Sequence, residues 1–125
     1  MSRYLSASVR QWALEQPEQL KLGGETRVMT VLFCELRGFT TLSRSVDPQL
    51  LVSFLNEFMT AMTDIIFRHD GVLDKYIGDE VMAFWNAPQE QPDHAGLACQ
   101  AALEMLREAQ RRLWEVSSQM VGLRP

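Results

Sequence analysis

Residues 71–86 read GVLDKYIGDEVMAFWN, and no other stretch constrains the fold as tightly. Two short apolar runs, 71–77 and 80–86, are separated only by Gly78-Asp79, the composition and spacing of a tight β-hairpin. Asp79 is therefore expected at the hairpin tip or as the first strand residue after it. A helical pattern lies on either side. Asp47-Pro48 begins the first, with an aspartate placed to cap free amides and a proline pre-set for the first helical position. Leu51, Phe54, Leu55, Phe58, Met62, Ile65 and Ile66 then recur at three and four, which predicts a helix to about His69, stopped by Asp70-Gly71. Such a Met and Phe stripe reads as core. Residues 87–92 contain two prolines and read as a loop. Asp93 then caps a long helix whose expected buried face is Ala98, Ala101, Ala102, Met105, Leu106, Ala109 and Leu113.

Upstream, residues 27–36 are β-branched and apolar enough for a central strand, expected to be buried on both sides because Val28, Val31, Leu32, Phe33 and Cys34 leave little polar face. Gly38 permits a sharp turn after it, and a short helix through Leu42 is expected to follow. Residues 3–20 place Tyr4, Leu5, Val9, Trp12 and Ala13 at helical spacing, with Ser2 or Ser6 as caps and Pro17 as the stop or bend. Gly23-Gly24 marks the turn into the strand. The chain divides into a helical lead-in, residues 1–22, and a domain, residues 23–125. Strands and helices in this order, with an antiparallel hairpin, predict an α+β sandwich with helices on one face of a sheet. Three strands make that sheet narrow, as if unfinished.

Composition excludes several classes of function. At 125 residues, 46% hydrophobic and 22% charged, this is one soluble globular domain or part of one. A net charge of −4 with no basic run argues against nucleic acid as a partner. Two cysteines, Cys34 and Cys99, without a CxxC pair, read as small buried hydrophobes in a reducing compartment. The uninterrupted apolar runs fall short of the ~18 residues that span a bilayer, so direct membrane insertion is not expected and the chain reads as cytoplasmic. A parent protein tethered to a membrane elsewhere stays compatible with this. His69 and His94 read as helix-end or surface residues, and Trp12, Trp85 and Trp114 as packing or interface aromatics.

The chemistry concentrates in two acidic segments, VLFCELRGFT at residues 31–40 and DKYIGDEVMAFW at 74–85. Each delivers a carboxylate, Glu35 or Asp79, to the end of an apolar run beside a glycine turn. Mg²⁺ takes oxygen ligands and is commonly held by one or two carboxylates plus substrate phosphates. The Gly38-Phe39-Thr40 turn can present backbone amides to phosphate oxygens. Taken singly, either acid reads as a solvated strand end. As a pair with two glycine turns, they point to a metal and phosphate site.

Residues 32–40 and 75–85 together resemble the two metal motifs of class III adenylyl and guanylyl cyclases, at matching separation, and the similarity runs from about Arg3 to the end of the chain. The resemblance implies a ferredoxin-like, palm-type α/β sandwich, here incomplete on the C-terminal side. It implies two Mg²⁺ (or Mn²⁺) ions per site, held by Glu35, Asp79 and the backbone carbonyl of Leu36, with Gly38, Phe39 and Thr40 wrapping the phosphates. Lys75 falls where adenylyl cyclases carry an adenine-binding lysine and guanylyl cyclases an acidic residue. An ammonium has only donors and so suits adenine N1. The bland alternative is a solvated strand lysine paired with Asp74 or Glu80. The implied reaction converts ATP to cyclic AMP and pyrophosphate at the interface of a head-to-tail homodimer, with an upstream regulatory domain as the other implied partner.

Two departures from the family pattern bear on activity. Glu35 stands where the family has an aspartate, moving the carboxylate by ~1.5 Å, one bond length, at a site where Mg²⁺ demands near-ideal geometry. The residues that would supply a second base reader and the ribose- and phosphate-stabilising asparagine and arginine are absent, so this chain by itself is expected to be nearly inactive. The rival reading is a catalytically silent cyclase-like module kept for dimerisation or nucleotide sensing. A diguanylate cyclase, suggested by Gly78-Asp79-Glu80, fits poorly because Ile77 and Val81 stand where that family wants a glycine and an aromatic.

Overall fold

A computed structural model describes residues 26–36 and 46–121, with Ser6, Ala7, Gln11, Leu14, Glu15 and Arg44, and gives the backbone alone for residues 116–121. Three strands and two helices follow one another: β1 (Thr30–Glu35), α1 (Pro48–Arg68), β2 (Val72–Ile77), β3 (Glu80–Trp85) and α2 (His94–Val121). The expected lead-in helix, the Gly23-Gly24 turn and the short helix through Leu42 lie outside the described residues, apart from the isolated ones named above. The hairpin forms where its composition placed it, with Gly78 at φ 61°, a left-handed conformation that glycine adopts without penalty. Asp79 occupies the second turn position.

The sheet has order β1-β3-β2 and is antiparallel throughout. Cross-strand partners share a face, so the register sorts the side chains. Leu32, Cys34, Val81, Ala83 and Trp85 point toward the helices, where α2 lies over β1 and β3 and α1 over β2 and β3. Phe58, Met62, Ile66, Val81, Trp85 and Met105 are fully buried between the layers. Sequestering each such side chain contributes about 1.5–3 kcal/mol, which makes this seam the main source of stability. Phe54 and Phe58 stack with ring centroids 6.1 Å apart on the same side of α1.

Among the described residues the other face of the sheet carries no helix, and that corrects the reading of β1 as buried on both sides. Burial alternates along the strand, with Val31 46% and Phe33 60% exposed, and Val28, before it, is exposed as well. Sequence hydrophobicity suggested two covering layers where the described residues form one.

The helices hold further corrections. Asp47 occupies the N-cap position of α1 with Pro48 at the first turn, but its side chain makes no capping hydrogen bond. In α2, Ala98, Ala101 and Met105 are buried, and Ala109 and Leu113 are partly so, but Ala102 and Leu106 face outward beside Leu103 and Trp114. This helix has a second apolar stripe, and periodicity cannot tell which stripe faces the sheet. Cys34 is half-buried against the core, whereas Cys99 is exposed, contrary to expectation. By length and composition α1 is apolar enough to cross a membrane, with a mean hydropathy of 1.4 that scattered polar residues concealed in a search for uninterrupted runs. Its stripe of Phe54, Phe58, Met62, Ile65 and Ile66 is nevertheless committed to the core.

Polar groups lock the corner between the layers. Asp70 takes φ 61° just past α1, and Trp85 Nε1 donates to the carbonyl of His69, the C-cap residue, at 2.8 Å. After β3, Asn86 and the buried Gln91 bond each other reciprocally, and Gln91 Nε2 donates to the Asp70 carbonyl at 2.9 Å. His94, the first residue of α2, meets Thr30 Oγ1 of β1 at 2.6 Å. The two histidines thus hold the helix-end positions expected of them.

Candidate active site

Strand register brings the acidic residues to one end of the sheet. Glu35, the last residue of β1, is the cross-strand partner of Glu80, the first residue of β3, and Asp79 directly precedes Glu80 in the hairpin turn. Directly opposed residues share a face, with Cβ atoms ~4.5–5.5 Å apart, so Glu35 and Glu80 both project from the open side. Among the described residues none of these three acids is ion-paired with a basic side chain. Like charges in direct opposition destabilise a strand pair, and a cation relieves that cost. Their charge is felt nearby. The Cys34 thiol is pushed above its usual pKa first by burial and second by the adjacent Glu35 carboxylate. Leu36, whose carbonyl the resemblance implicates, is buried immediately after β1.

The donor set matches the chemistry of Mg²⁺ or Mn²⁺, since carboxylates and a carbonyl supply only hard oxygen ligands. Glu35, Asp79 and the Leu36 carbonyl are the atoms that would hold such ions. Among the described residues no three His, Cys, Asp or Glu side chains converge as a complete metal cage, so any ion here needs oxygens from phosphate or water as well. Gly38, Phe39 and Thr40, the expected phosphate-wrapping turn, lie outside the described residues. The sequence drew attention to Glu35 and Asp79 but not to Glu80 as the cross-strand neighbour of Glu35. Only the pairing of β1 with β3 reveals that juxtaposition.

Lys75 reaches the same open face by an irregular route. Leu73 pairs with Ala83 and Lys75 with Met82, leaving Asp74 as an extra residue in β2, a β-bulge. Tyr76, paired with Val81, turns back to the helices, where its hydroxyl meets Thr63 Oγ1 of α1 at 2.5 Å. Lys75 therefore stands with Phe33 and Met82, one row behind Glu35, Glu80 and Ile77, roughly 7 Å back along the strands and about 10 Å across from β1. Its Nζ lies 3.9 Å from Asp74 Oδ2, so the carboxylate pairing weighed as the alternative is present in this geometry. Both groups are well exposed, which leaves the pair weak and the ammonium available to a ligand. A separate groove of about 410 Å³ between the helices, lined by Asn56, Glu57, Thr60, Ala61, Asp64 and Arg112, does not adjoin these residues.

Comparison with known proteins shows the family and the fold. The family model for the adenylate and guanylate cyclase catalytic domain matches residues 24–124. An adenylate cyclase of Anabaena cylindrica is 37% identical over 93 residues, covering 73% of this chain and 18% of that protein. Among solved structures, the adenylyl cyclase CyaB from P. aeruginosa superposes with a TM-score of 0.69 at 30% identity, covering 73% of this chain and 47% of that one. The guanylyl cyclase Cya2 superposes with a TM-score of 0.67 at 37% identity, covering 82% of this chain and 50% of that one. The chain thus spans about half of the solved cyclase chains it matches and a smaller share of the curated relative.

Proposed function

Because the chain belongs to the adenylate and guanylate cyclase catalytic-domain family, we propose that its parent protein is an adenylate cyclase converting ATP to cyclic AMP and pyrophosphate. The observation that carries this reading is the pairing of β1 with β3, which sets Glu35 beside the hairpin turn that holds Asp79. Two acids stand at one end of the sheet, and a lysine suited to adenine N1 stands on the same open face. Glu35, Asp79 and the Leu36 carbonyl would hold the ions, and residues 38–40 would follow the phosphates. Bound there, two divalent cations supply Lewis-acid stabilisation of the charge on the ribose 3′-oxygen and the triphosphate. Lys75 orients the base by donating to adenine N1.

The apolar open face, with Val31, Phe33 and Ile77 exposed, supports a site completed by a second copy of the chain. In the arrangement we propose, the copies meet head to tail, and one supplies the acids while the other supplies Lys75. These 125 residues span about half of the matched cyclase chains, which supports low turnover by this portion alone. Glu35 in place of the family's aspartate favours a second reading, a module that binds nucleotide without cyclising it. Cyclic AMP formation by the intact parent protein, assayed with Mg²⁺ and Mn²⁺, separates the two. Activity that falls at least 100-fold with Asp79→Asn is expected, since losing a positioned charge stabiliser typically costs about 10²–10³ in rate. No product from either the natural protein or its Glu35→Asp variant sinks the cyclase reading, and ATP binding without product favours the silent module.

A further inference from the structure

Among the described cross-strand pairs, Glu35 and Glu80 alone set two charged residues directly opposite each other, and both are acids. Such an opposition destabilises a strand pair. Other acids stand beside bases, as Glu104 does beside Arg68, Glu108 beside Arg111 and Arg112, and Asp74 beside Lys75. Neither strand end can move aside cheaply. Leu36, next to Glu35, is 5% exposed and Val81, next to Glu80, is fully buried, so parting the strands here would expose apolar side chains. The repulsion is therefore held in the folded chain. Lys75 does not relieve it, because it stands one row back and beside Asp74. A cation from solvent can, since Glu35 is exposed and Glu80 half-buried on the open face.

We propose that Glu80 is a positioning residue of the metal site, whose charge beside Glu35 strengthens the hold on a divalent cation and makes the folded chain more stable with that cation than without it. This rests on the cyclase reading of Glu35 and Asp79 and adds an acid that reading does not use. Among the described residues no three acids converge as a cage, so Glu80 acts through its field at Glu35 and not as a further ligand. A neutral group of the same shape removes two effects at once. The repulsion is lost from the cation-free chain, and the added attraction is lost from the cation-bound one. Because a ligand that binds only the folded chain stabilises it, both changes appear in the unfolding midpoint.

The test uses the full chain with Mn²⁺ alone as the probe. Binding is read from the loss of the paramagnetic resonance signal of free Mn²⁺, and stability from the urea midpoint with and without the ion. Glu80→Gln keeps the shape and removes the charge. It is expected to raise the midpoint without Mn²⁺ and to weaken Mn²⁺ binding about tenfold, the lower end of what groups supporting metal ligands are worth. Glu80→Asp keeps the charge and is expected to bind Mn²⁺ more tightly than Glu80→Gln. Equal weakening by both variants would make shape the cause and overturns the proposal. A midpoint without Mn²⁺ that holds or falls with Glu80→Gln also overturns it, because the repulsion is then missing. If Asp79→Asn weakens Mn²⁺ binding and Glu80→Gln leaves it untouched, the proposal fails and the cyclase reading stands. If the unmodified chain binds no Mn²⁺, the proposal fails by itself, since the cyclase reading is decided by its own product assay.

Discussion

Gly71 is where the core tolerates least. A Cβ placed there would lie 2.7 Å from Ile66 Cγ2 and 2.7 Å from Cζ2 of the Trp85 ring, closer than packed atoms approach. Gly71→Ala is therefore expected to destabilise the fold by about 1–3 kcal/mol, the usual cost of overpacking, read as a lower urea midpoint at unchanged slope. An unchanged midpoint would contradict the packing described. At this scale the sequence was informative where local chemistry decides the outcome. Gly78-Asp79 specified the turn, and Asp70-Gly71 the end of the helix. It was silent wherever an outcome depends on a distant partner. The closeness of Gly71 to Trp85 is of this kind, and so are the opposition of Glu35 to Glu80 and the bulge that sets Asp74 beside Lys75.

Between elements, polar contacts flank the apolar seam of α1 and α2, with Arg112 of α2 4.0 Å from Glu57 of α1 and Glu104 at the other end. Glu104 of α2 accepts from His69 Nε2 at 2.9 Å and from the Arg68 guanidinium, both at the end of α1. The hydrogen bond from His69 first, and that from Arg68 second, hold its carboxyl below the usual range. The unfolded chain therefore takes up this proton at a higher pH than the folded one. The resulting stabilisation is complete above the ordinary carboxylate value of about 4.3 and is lost as pH falls through the lower folded value. Glu104→Gln is expected to be less stable than the natural chain at pH 7, with the gap narrowing toward pH 3. Urea midpoints at the two pH values check this, and a gap independent of pH would refute it. The stripe of α1 was legible because its apolar residues lie on one side. That of α2 was legible only in part, because Leu103, Leu106 and Trp114 make a second stripe on its outward side. For β1, continuous hydrophobicity predicts two-sided burial, whereas one side of the strand belongs to the open face.

For the whole molecule, helix and strand periodicities were enough to specify an α+β sandwich with helices over one face of a sheet, since the hairpin and both described helices form where they were expected and β1 lies within its expected range. What covers the open face was not legible, because a surface awaiting a second copy has the same composition as a core. The proposed site divides its parts between two copies, with Glu35 and Asp79 from one and Lys75 from the other. Asp79→Ala and Lys75→Ala each spoil a different half. In a mixed dimer one site receives both defects and the other receives neither. The decisive measurement is binding of 3′-deoxy-ATP with Mn²⁺ to each variant alone and to an equimolar mixture. With random pairing, half the dimers are mixed and each holds one intact site, so the mixture is predicted to recover about a quarter of the natural chain's sites. Binding by the mixture no greater than that of the two variants measured separately would contradict the account.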